Sequence, residues 1–236
     1  MEFKSLYSGS HGNLYTVTAA CGSQLMLECG VPWAKALDAF DYKISAFVGC
    51  LLTHSHMDHA KSYKEVLKAG IPIWSSPGTG QKLGIEFHRN FNAIWATQRL
   101  VKIGPFQVIA FNSHHDDEQP FYYIIRADGE QLLFVTDTSH ISERFNFNFD
   151  LIAIECNWDK KIVGELVDRQ VLNESLAIRI LRNHMEKSVC IDYLSNYCKM
   201  SRTREIILLH GSGTNLDKEP TREEIENLFF IPTFWA

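Results

Sequence analysis

A short segment in the first quarter of the chain concentrates metal-binding side chains. Six consecutive residues supply three imidazoles and one carboxylate, from His54, His56, Asp58 and His59. His54 and His56 alternate at the end of the apolar run Ala46–Thr53, so both rings can leave the same face of a strand end. This mixture of nitrogen and oxygen ligands suits zinc, manganese or iron. The spacing therefore predicts a metal site, whereas the alternative is a polar loop that is merely rich in histidine.

The order of these residues resembles a known signature. His-x-His-x-Asp-His after a strand is similar to the signature of the metallo-β-lactamase superfamily. The segment Ser8–Asn13 reads Ser-Gly-Ser-His-Gly-Asn and resembles the first hairpin of a small bacterial subgroup. That subgroup includes DNA 5′-exonucleases and phosphodiesterases, and it is related to ribonuclease Z but lacks the arm that grips tRNA. The resemblance implies one α/β domain over residues 1–236, with two sheets between outer helices as a four-layer αββα sandwich.

The same resemblance implies the rest of a coordination sphere. A ligand histidine that is followed by Asp, and soon by Pro, corresponds to His115, with His114 as the alternative. Thr-Asp-Thr at a strand end supplies Asp137, and a histidine after a late apolar strand supplies His210. Two divalent ions are implied, zinc or manganese, with iron also compatible. By this carry-over the first is held by His54, His56 and His115, and the second by Asp58, His59 and His210. Asp137 bridges the two ions, and Asp58 is counted as catalytic as well as a ligand.

Two further residues bear on the substrate class. Glu155 ends the apolar run Leu151–Glu155, and His184 follows a predicted helix. In nuclease members of the superfamily a Glu and a His in this order form a proton-donating pair, and the resemblance implies the same catalytic role here. An imidazolium oriented by a carboxylate can protonate a leaving alkoxide. The other interpretation is a histidine that caps a helix and a solvated carboxylate.

Substrate contacts are predicted at two turns. Ser10 and Asn13 of the first hairpin, and Ser212 in Gly211–Asn215, can present hydroxyls or amide groups to a phosphate, although both segments also fit plain turns. Around His184 lies a predicted basic patch that can follow a phosphate backbone or form a solvated face. Its members are Arg179, Arg182, Lys187, Lys199, Arg202 and Arg204. Glu28 stands where the family usually has Asp, so a longer side chain must fit near the ligands.

Together these features predict a hydrolase that cleaves phosphodiester bonds with a hydroxide bridging two metal ions. A 5′ exonuclease on single-stranded DNA is the favoured form, with DNA preferred over RNA as partner. Three alternatives stay open: a thioester or lactone hydrolase of glyoxalase II type, a small-nucleotide phosphodiesterase, and a metal-binding module without catalysis. Oligomeric state is not predicted.

Composition sets wider limits. A hydrophobic fraction of 45% supports a packed core. No apolar run approaches the roughly 18 residues of a membrane span, and no signal-like segment is present, so we expect a soluble cytoplasmic protein with no membrane partner. The six cysteines are expected to be reduced. A net charge of −5 gives no global attraction to nucleic acid, so metals and local positive charge must hold any polyanion.

Alternating and apolar runs predict the elements that position these residues. Predicted strands are Leu14–Thr18, Gln24–Cys29, Ala46–Leu52, Gln98–Ile103, Phe106–Phe111, Phe121–Arg126, Gln131–Thr136, Leu151–Glu155 and Arg204–Leu209. Predicted helices are His59–Ala69, Asn173–Arg182, Val189–Lys199 and one that starts at the capping box Thr221–Glu224.

Overall fold

The computed structural model describes residues 1–96 and 99–236. It contains both strands and helices, and the strands form two sheets, so the predicted α/β class is confirmed. The described strands are β1 Glu2–Tyr7, β2 Leu14–Thr18, β3 Gln24–Leu27, β4 Phe47–Leu51, β5 Ile73–Ser75, β6 Phe91–Ala93, β7 Val101–Ile103, β8 Phe106–Asn112, β9 Phe121–Ala127, β10 Glu130–Val135, β11 Leu151–Glu155, β12 Glu205–Leu209 and β13 Thr233–Trp235. The described helices are α1 Trp33–Ala39, α2 Met57–Ala60, α3 Tyr63–Lys68, α4 Pro77–Leu83, α5 Lys160–Asp168, α6 Glu174–Asn183, α7 Lys187–Tyr197 and α8 Lys218–Phe229.

The chain divides into two compact units. Unit 1 comprises Met1–Asn112 and Asp117–Glu130, and unit 2 comprises Ser113–Asp116 and Gln131–Ala236. The predicted single domain over residues 1–236 stays a prediction. In the part of the chain that the structure describes, no helix has the length and apolar character needed to span a bilayer.

Unit 1 contains a six-stranded sheet in the order β1-β2-β3-β4-β5-β6. Its first three strands are antiparallel, and β3 to β6 run parallel. Strand β4 is almost entirely buried, as expected of a parallel strand that is covered on both faces. His54 follows β4 by three residues, so the histidine-rich segment begins where a buried strand ends. Strands β7, β8 and β9 form an antiparallel set in the same unit.

Unit 2 is built on parallel strands. β11 pairs in parallel with β10 on one side and with β12 on the other, and β13 pairs with β12. Residues of β11 and most of β12 are buried, which matches their unbroken apolar sequences. Carboxyl ends of adjacent parallel strands meet at one sheet edge. Asp137 follows β10, Glu155 ends β11 and His210 follows β12, so the topology gathers three predicted site residues at this edge.

Most predicted elements are confirmed within a few residues, and three differ. The predicted helix His59–Ala69 is divided into α2 and α3, because Ser62 leaves the helical conformation and its hydroxyl donates to the Val31 carbonyl. The capping box at Thr221 is wrong: α8 begins at Lys218, since Pro220 lies in the first turn, where its missing N–H costs no helical hydrogen bond. The start of the strand predicted at Gln98 lies outside the described residues, and β7 covers Val101–Ile103.

Candidate metal centre

Two imidazoles of unit 1 are arranged as a pair of ligands. His54 Nε2 lies 3.1 Å from His56 Nδ1, and the ring of His54 is buried. Two ligand atoms at zinc-like distances from one tetrahedral ion lie about 3.3–3.6 Å apart. The separation of these two nitrogens is therefore close to that of ligands which share an ion. Two imidazole nitrogens at this separation fit the zinc or manganese that the family resemblance implies.

Asp58 and His59 lie at the start of α2, where backbone contacts fix them. Asp58 Oδ2 lies 3.6 Å from His59 Nε2, again a separation suited to one shared ion. The Asp58 carbonyl accepts a hydrogen bond from the Asn13 N–H at 2.7 Å, and the His59 carbonyl accepts one from Cys29 N–H at 2.7 Å. Position 30 requires glycine, because the backbone of Asp58 lies so close that a Cβ on residue 30 would be 1.6 Å from the Asp58 carbonyl oxygen.

Asn13 is held inside the hairpin and is not exposed. Its Nδ2 donates to the Asp58 carbonyl at 3.1 Å and lies 3.0 Å from His59 Nε2. Its Oδ1 accepts hydrogen bonds from Gly9 N–H and the Tyr15 hydroxyl, each at 2.9 Å. The amide therefore joins the hairpin to the two predicted ligands, whereas Ser10 is exposed at the hairpin tip with its hydroxyl 3.3 Å from His11 Nδ1. Contact of either residue with a phosphate stays a prediction.

Glu28 has an unusual backbone conformation and is fully buried. Its φ of 62° lies in the left-handed region. Oε1 accepts the Thr53 N–H at 3.2 Å, and Oε2 lies 3.7 Å from His59 Nδ1. Burial raises the pKa of Glu28 above its ordinary value. The carboxyl group thus accepts a hydrogen bond at the start of the histidine-rich segment and lies beside the ring of His59.

In unit 2, the two oxygens of Asp137 face different histidines. Oδ2 lies 3.6 Å from His115 Nε2, and Oδ1 lies 3.6 Å from His210 Nε2. This is the arrangement expected of a carboxylate that bridges two ions, one through each oxygen. His114 does not take part: its Nε2 lies 2.8 Å from the Ser142 hydroxyl, and its ring stacks on His140. Of the two alternatives, His115 is the one that the structure brings beside Asp137.

Glu155 and His184 are in direct contact. His184 Nδ1 lies 2.7 Å from Glu155 Oε1, and the His184 ring stacks on that of His210 with 5.1 Å between centroids. The other oxygen of Glu155 accepts the Thr138 N–H at 2.8 Å. One potential ligand atom from each of Asp137, Glu155, His184 and His210 lies within 4.8 Å of the others. The two residues that sequence order paired are therefore adjacent in space and beside predicted ligands.

The pair shifts both pKa values towards the charged forms. Burial acts to raise the pKa of Glu155, but the His184 and His210 imidazoles outweigh it, and this pKa lies below its ordinary value. Burial acts to lower the pKa of His184, but the Glu155 carboxylate outweighs it and the pKa is raised. Each group thus favours the charged form of the other.

One residue near His210 was not found from the sequence. Asn157 Nδ2 donates to the His210 carbonyl at 2.6 Å and lies 3.1 Å from its Nδ1. Ser212 accepts hydrogen bonds from Thr214 and Asn215 N–H at 3.4 and 3.3 Å, so its hydroxyl closes its own turn. Asn157 lies two positions beyond the end of β11, and no local sequence pattern at that position indicates its contact with His210.

The predicted basic patch is largely neutralised by acidic neighbours. Lys187 pairs with Asp159 at 2.7 Å and with Glu224 at 3.3 Å. Arg202 pairs with Asp150 at 2.7 Å. Weaker pairs join Arg179 to Asp116 at 3.7 Å and Arg204 to Glu205 at 3.9 Å. The positive charge that these side chains offer a polyanion is therefore smaller than the sequence suggests.

Comparison with known proteins gives the family. A family model described as the beta-lactamase superfamily domain matches residues 39–189, more than half of the chain. The metallo-β-lactamase fold protein YhfI from Bacillus subtilis has a similar structure, with a TM-score of 0.73, 17% identity and coverage of 100% of this chain and 97% of that one. The fold is therefore that of a metallo-β-lactamase-fold protein, as predicted. The chain belongs to the beta-lactamase superfamily domain family.

Two curated relatives are similar in sequence. Exodeoxyribonuclease YycJ of Bacillus anthracis is 27% identical over 154 residues, which cover 61% of this chain and 57% of that protein. Exodeoxyribonuclease WalJ of Streptococcus pneumoniae serotype 2 is 25% identical over 236 residues, which cover 92% of this chain and 84% of that protein. The match to the first relative thus spans little more than half of its length.

Proposed function

We propose that the chain is a two-metal phosphodiesterase, and that its specific activity is 5′ exonucleolytic cleavage of single-stranded DNA. Seven side chains are proposed as ligands of zinc or manganese ions: His54, His56, Asp58, His59, His115, Asp137 and His210. The separations within each unit support this proposal, since they match ligand atoms that share an ion.

The contact between Glu155 and His184 carries the phosphodiesterase proposal. A buried carboxylate 2.7 Å from an imidazole, beside predicted ligands, is suited to proton transfer at a reacting centre. Thioester hydrolysis releases a thiolate, which leaves without a proton, whereas an alkoxide leaving from phosphorus benefits from one. A positioned acid is therefore more useful for the phosphodiester reaction.

Each residue has a defined task in this reaction. When bound, two divalent ions supply a water of lowered pKa and neutralise charge at phosphorus. Asp137 would help to hold both ions, and its negative charge would offset their mutual repulsion. His184 Nδ1 donates to Glu155, so the proton at Nε2 is the one available to the leaving oxygen. Glu155 holds the ring and stabilises its positive charge, and the Thr138 N–H fixes Glu155 in turn.

Support for DNA as substrate comes from the relatives, since both curated proteins are named exodeoxyribonucleases. Because acidic neighbours neutralise much of the predicted basic patch, a polyanion would be held mainly by the metal ions. A cytoplasmic location belongs to the same proposal.

A panel of substrates tests the proposal. Purified protein with manganese is offered 5′-phosphorylated single-stranded DNA, the same strand with a 5′ hydroxyl, an RNA of the same sequence, a dinucleotide and an acyl thioester. We expect shortening from the 5′ end of the phosphorylated DNA. Asp137→Asn, prepared in parallel, should be inactive and excludes a contaminating nuclease. Thioester turnover with no phosphodiester cleavage would overturn the proposal in favour of the glyoxalase II type, and faster cleavage of RNA or the dinucleotide would reassign the substrate.

A further inference from the structure

The residue between the first two histidines has a specific partner. Ser55 lies between His54 and His56, and both its N–H and its hydroxyl donate to Oδ2 of Asp117, at 2.5 and 2.7 Å. Two hydrogen bonds to one carboxylate oxygen fix both the backbone and the side chain of Ser55. Hydrogen bonds to a charged acceptor are among the stronger ones in proteins. The path of the chain between the two imidazoles is therefore set by Asp117.

The other oxygen of Asp117 is held by a lysine. Lys82 Nζ donates to Oδ1 in a short ion pair. The Asp117 side chain has no exposed surface, whereas the Lys82 side chain is 49% exposed. Lys82 lies in the last turn of α4, so this helix holds the buried carboxylate of Asp117, which in turn binds Ser55 in the histidine-rich segment.

The segment that carries Asp117 is attached to α4 at a second point. Gly78 N–H, in the first turn of the helix, donates to Oε1 of Gln119 at 2.9 Å. Contacts at both ends of α4 therefore hold residues 117 to 119. His115, a proposed ligand of the first ion, precedes Asp117 by two residues. Asp117 therefore follows one proposed ligand in the chain and is hydrogen-bonded to the residue between the two others, His54 and His56.

We propose that Asp117 is a positioning residue for the first metal ion, with Lys82 as its support. By holding Ser55, Asp117 sets the separation of His54 Nε2 and His56 Nδ1. The inference rests on the proposed function, because it requires these histidines to be ligands. Residues that orient metal ligands are worth about 10–100-fold in metal affinity.

Metal affinity tests this role without any substrate. Purified proteins are stripped with chelator and titrated with zinc in competition with a chromophoric chelator, and the two binding steps are fitted separately. Asp117→Ala is expected to weaken one of the two steps by about 10–100-fold and to leave the other unchanged. Lys82→Met should weaken the same step by less, and Lys82→Arg, which keeps the charge, should restore it. Lys43→Met removes an exposed ion pair with Asp41 and serves as the matched control.

The outcomes separate the two proposals. If the parent protein binds two ions and Asp117→Ala binds both as tightly, the role of Asp117 is overturned and the proposed function stands. If the parent does not bind two ions, both proposals fall. A merely structural role would lower the unfolding temperature of the metal-free variants equally and leave both affinities unchanged. If Asp117→Ala does not fold, Lys82→Met with its Lys82→Arg rescue decides, and equal affinities in those two variants and the parent would overturn the proposal.

Discussion

His184 Nδ1 lies 2.7 Å from Oε1 of Glu155, and the His184 ring stacks on His210 with 13° between the ring planes. Glu155 ends a strand, whereas His184 follows helix α6, so the contact depends on the fold of unit 2. The hydrogen bond and the stacked face together orient the imidazole. The predictions on turnover and on pH follow from this contact.

Replacement of His184 should separate chemistry from metal binding. His184→Ala is expected to lower kcat on DNA by about 10²–10⁴-fold, with KM and metal content unchanged, because the lost group is a proton donor and not a ligand. Turnover of a phosphodiester with a nitrophenolate leaving group should fall much less in this variant, since that group leaves without a proton. His88→Ala, at an exposed histidine, is the control. Loss of a metal ion from His184→Ala would instead make His184 a ligand.

The same contact should give the metal-free protein a particular pH dependence of stability. The pKa of His184 is raised on folding, so its contribution is present below the ordinary histidine value of 6.5 and is lost as pH rises through the raised pKa. The pKa of Glu155 is lowered, so its contribution is present above the ordinary value of 4.5 and is lost as pH falls through the lowered pKa. In thermal melts, the melting temperature of the metal-free parent should exceed that of His184→Gln by the largest margin between pH 4.5 and 6.5. A margin that is constant with pH would contradict this assignment.

Two glycines should respond to alanine in opposite ways. Gly30→Ala places a methyl group 1.6 Å from the Asp58 carbonyl oxygen, so the ligand segment must move. We expect that variant to misfold or to lose metal, as measured by circular dichroism and metal analysis. Gly164 lies inside helix α5, where an added methyl group would meet open space, and Gly164→Ala should raise stability by about 0.5–1 kcal/mol. A Gly30→Ala protein with parental fold and metal content would show that the close approach does not matter.

Asn13 should act through the ligands. Asn13→Ala removes the hydrogen bond to the Asp58 carbonyl, which fixes the backbone of a proposed ligand, so metal affinity should fall by about 10–100-fold. Ser10→Ala, at the exposed tip of the same hairpin, is the matched control and should keep its affinity. A rise in KM for DNA with parental metal affinity in Asn13→Ala would instead support the predicted phosphate contact.

Sequence reasoning reached the features that local pattern encodes. Strands β2 and β11 were predicted to the residue because apolar runs bounded by turns define them. Asp137 and His210 were identified through the resemblance to the family's motifs. Contacts between distant residues leave no such pattern. The link from Ser55 to Asp117 spans 62 positions, and nothing in the spacing of either residue indicates the other.

Backbone conformation was also beyond the sequence. Glu28 adopts a left-handed φ of 62°, and glutamate has no local preference for that region. The family resemblance favoured His115 over His114, but the direction in which the two adjacent rings point is set by the turn that carries them. Only the fold of unit 2 gives that direction, since residue type is the same at both positions.

A metal titration followed by turnover tests the central claim most directly. Manganese is added stepwise to chelator-stripped protein while bound metal and hydrolysis of 5′-phosphorylated single-stranded DNA are measured in the same samples. We predict that close to two ions bind per chain and that cleavage appears as the second site fills. Two bound ions without phosphodiester cleavage, or full activity with one ion or none, would contradict a two-metal phosphodiesterase.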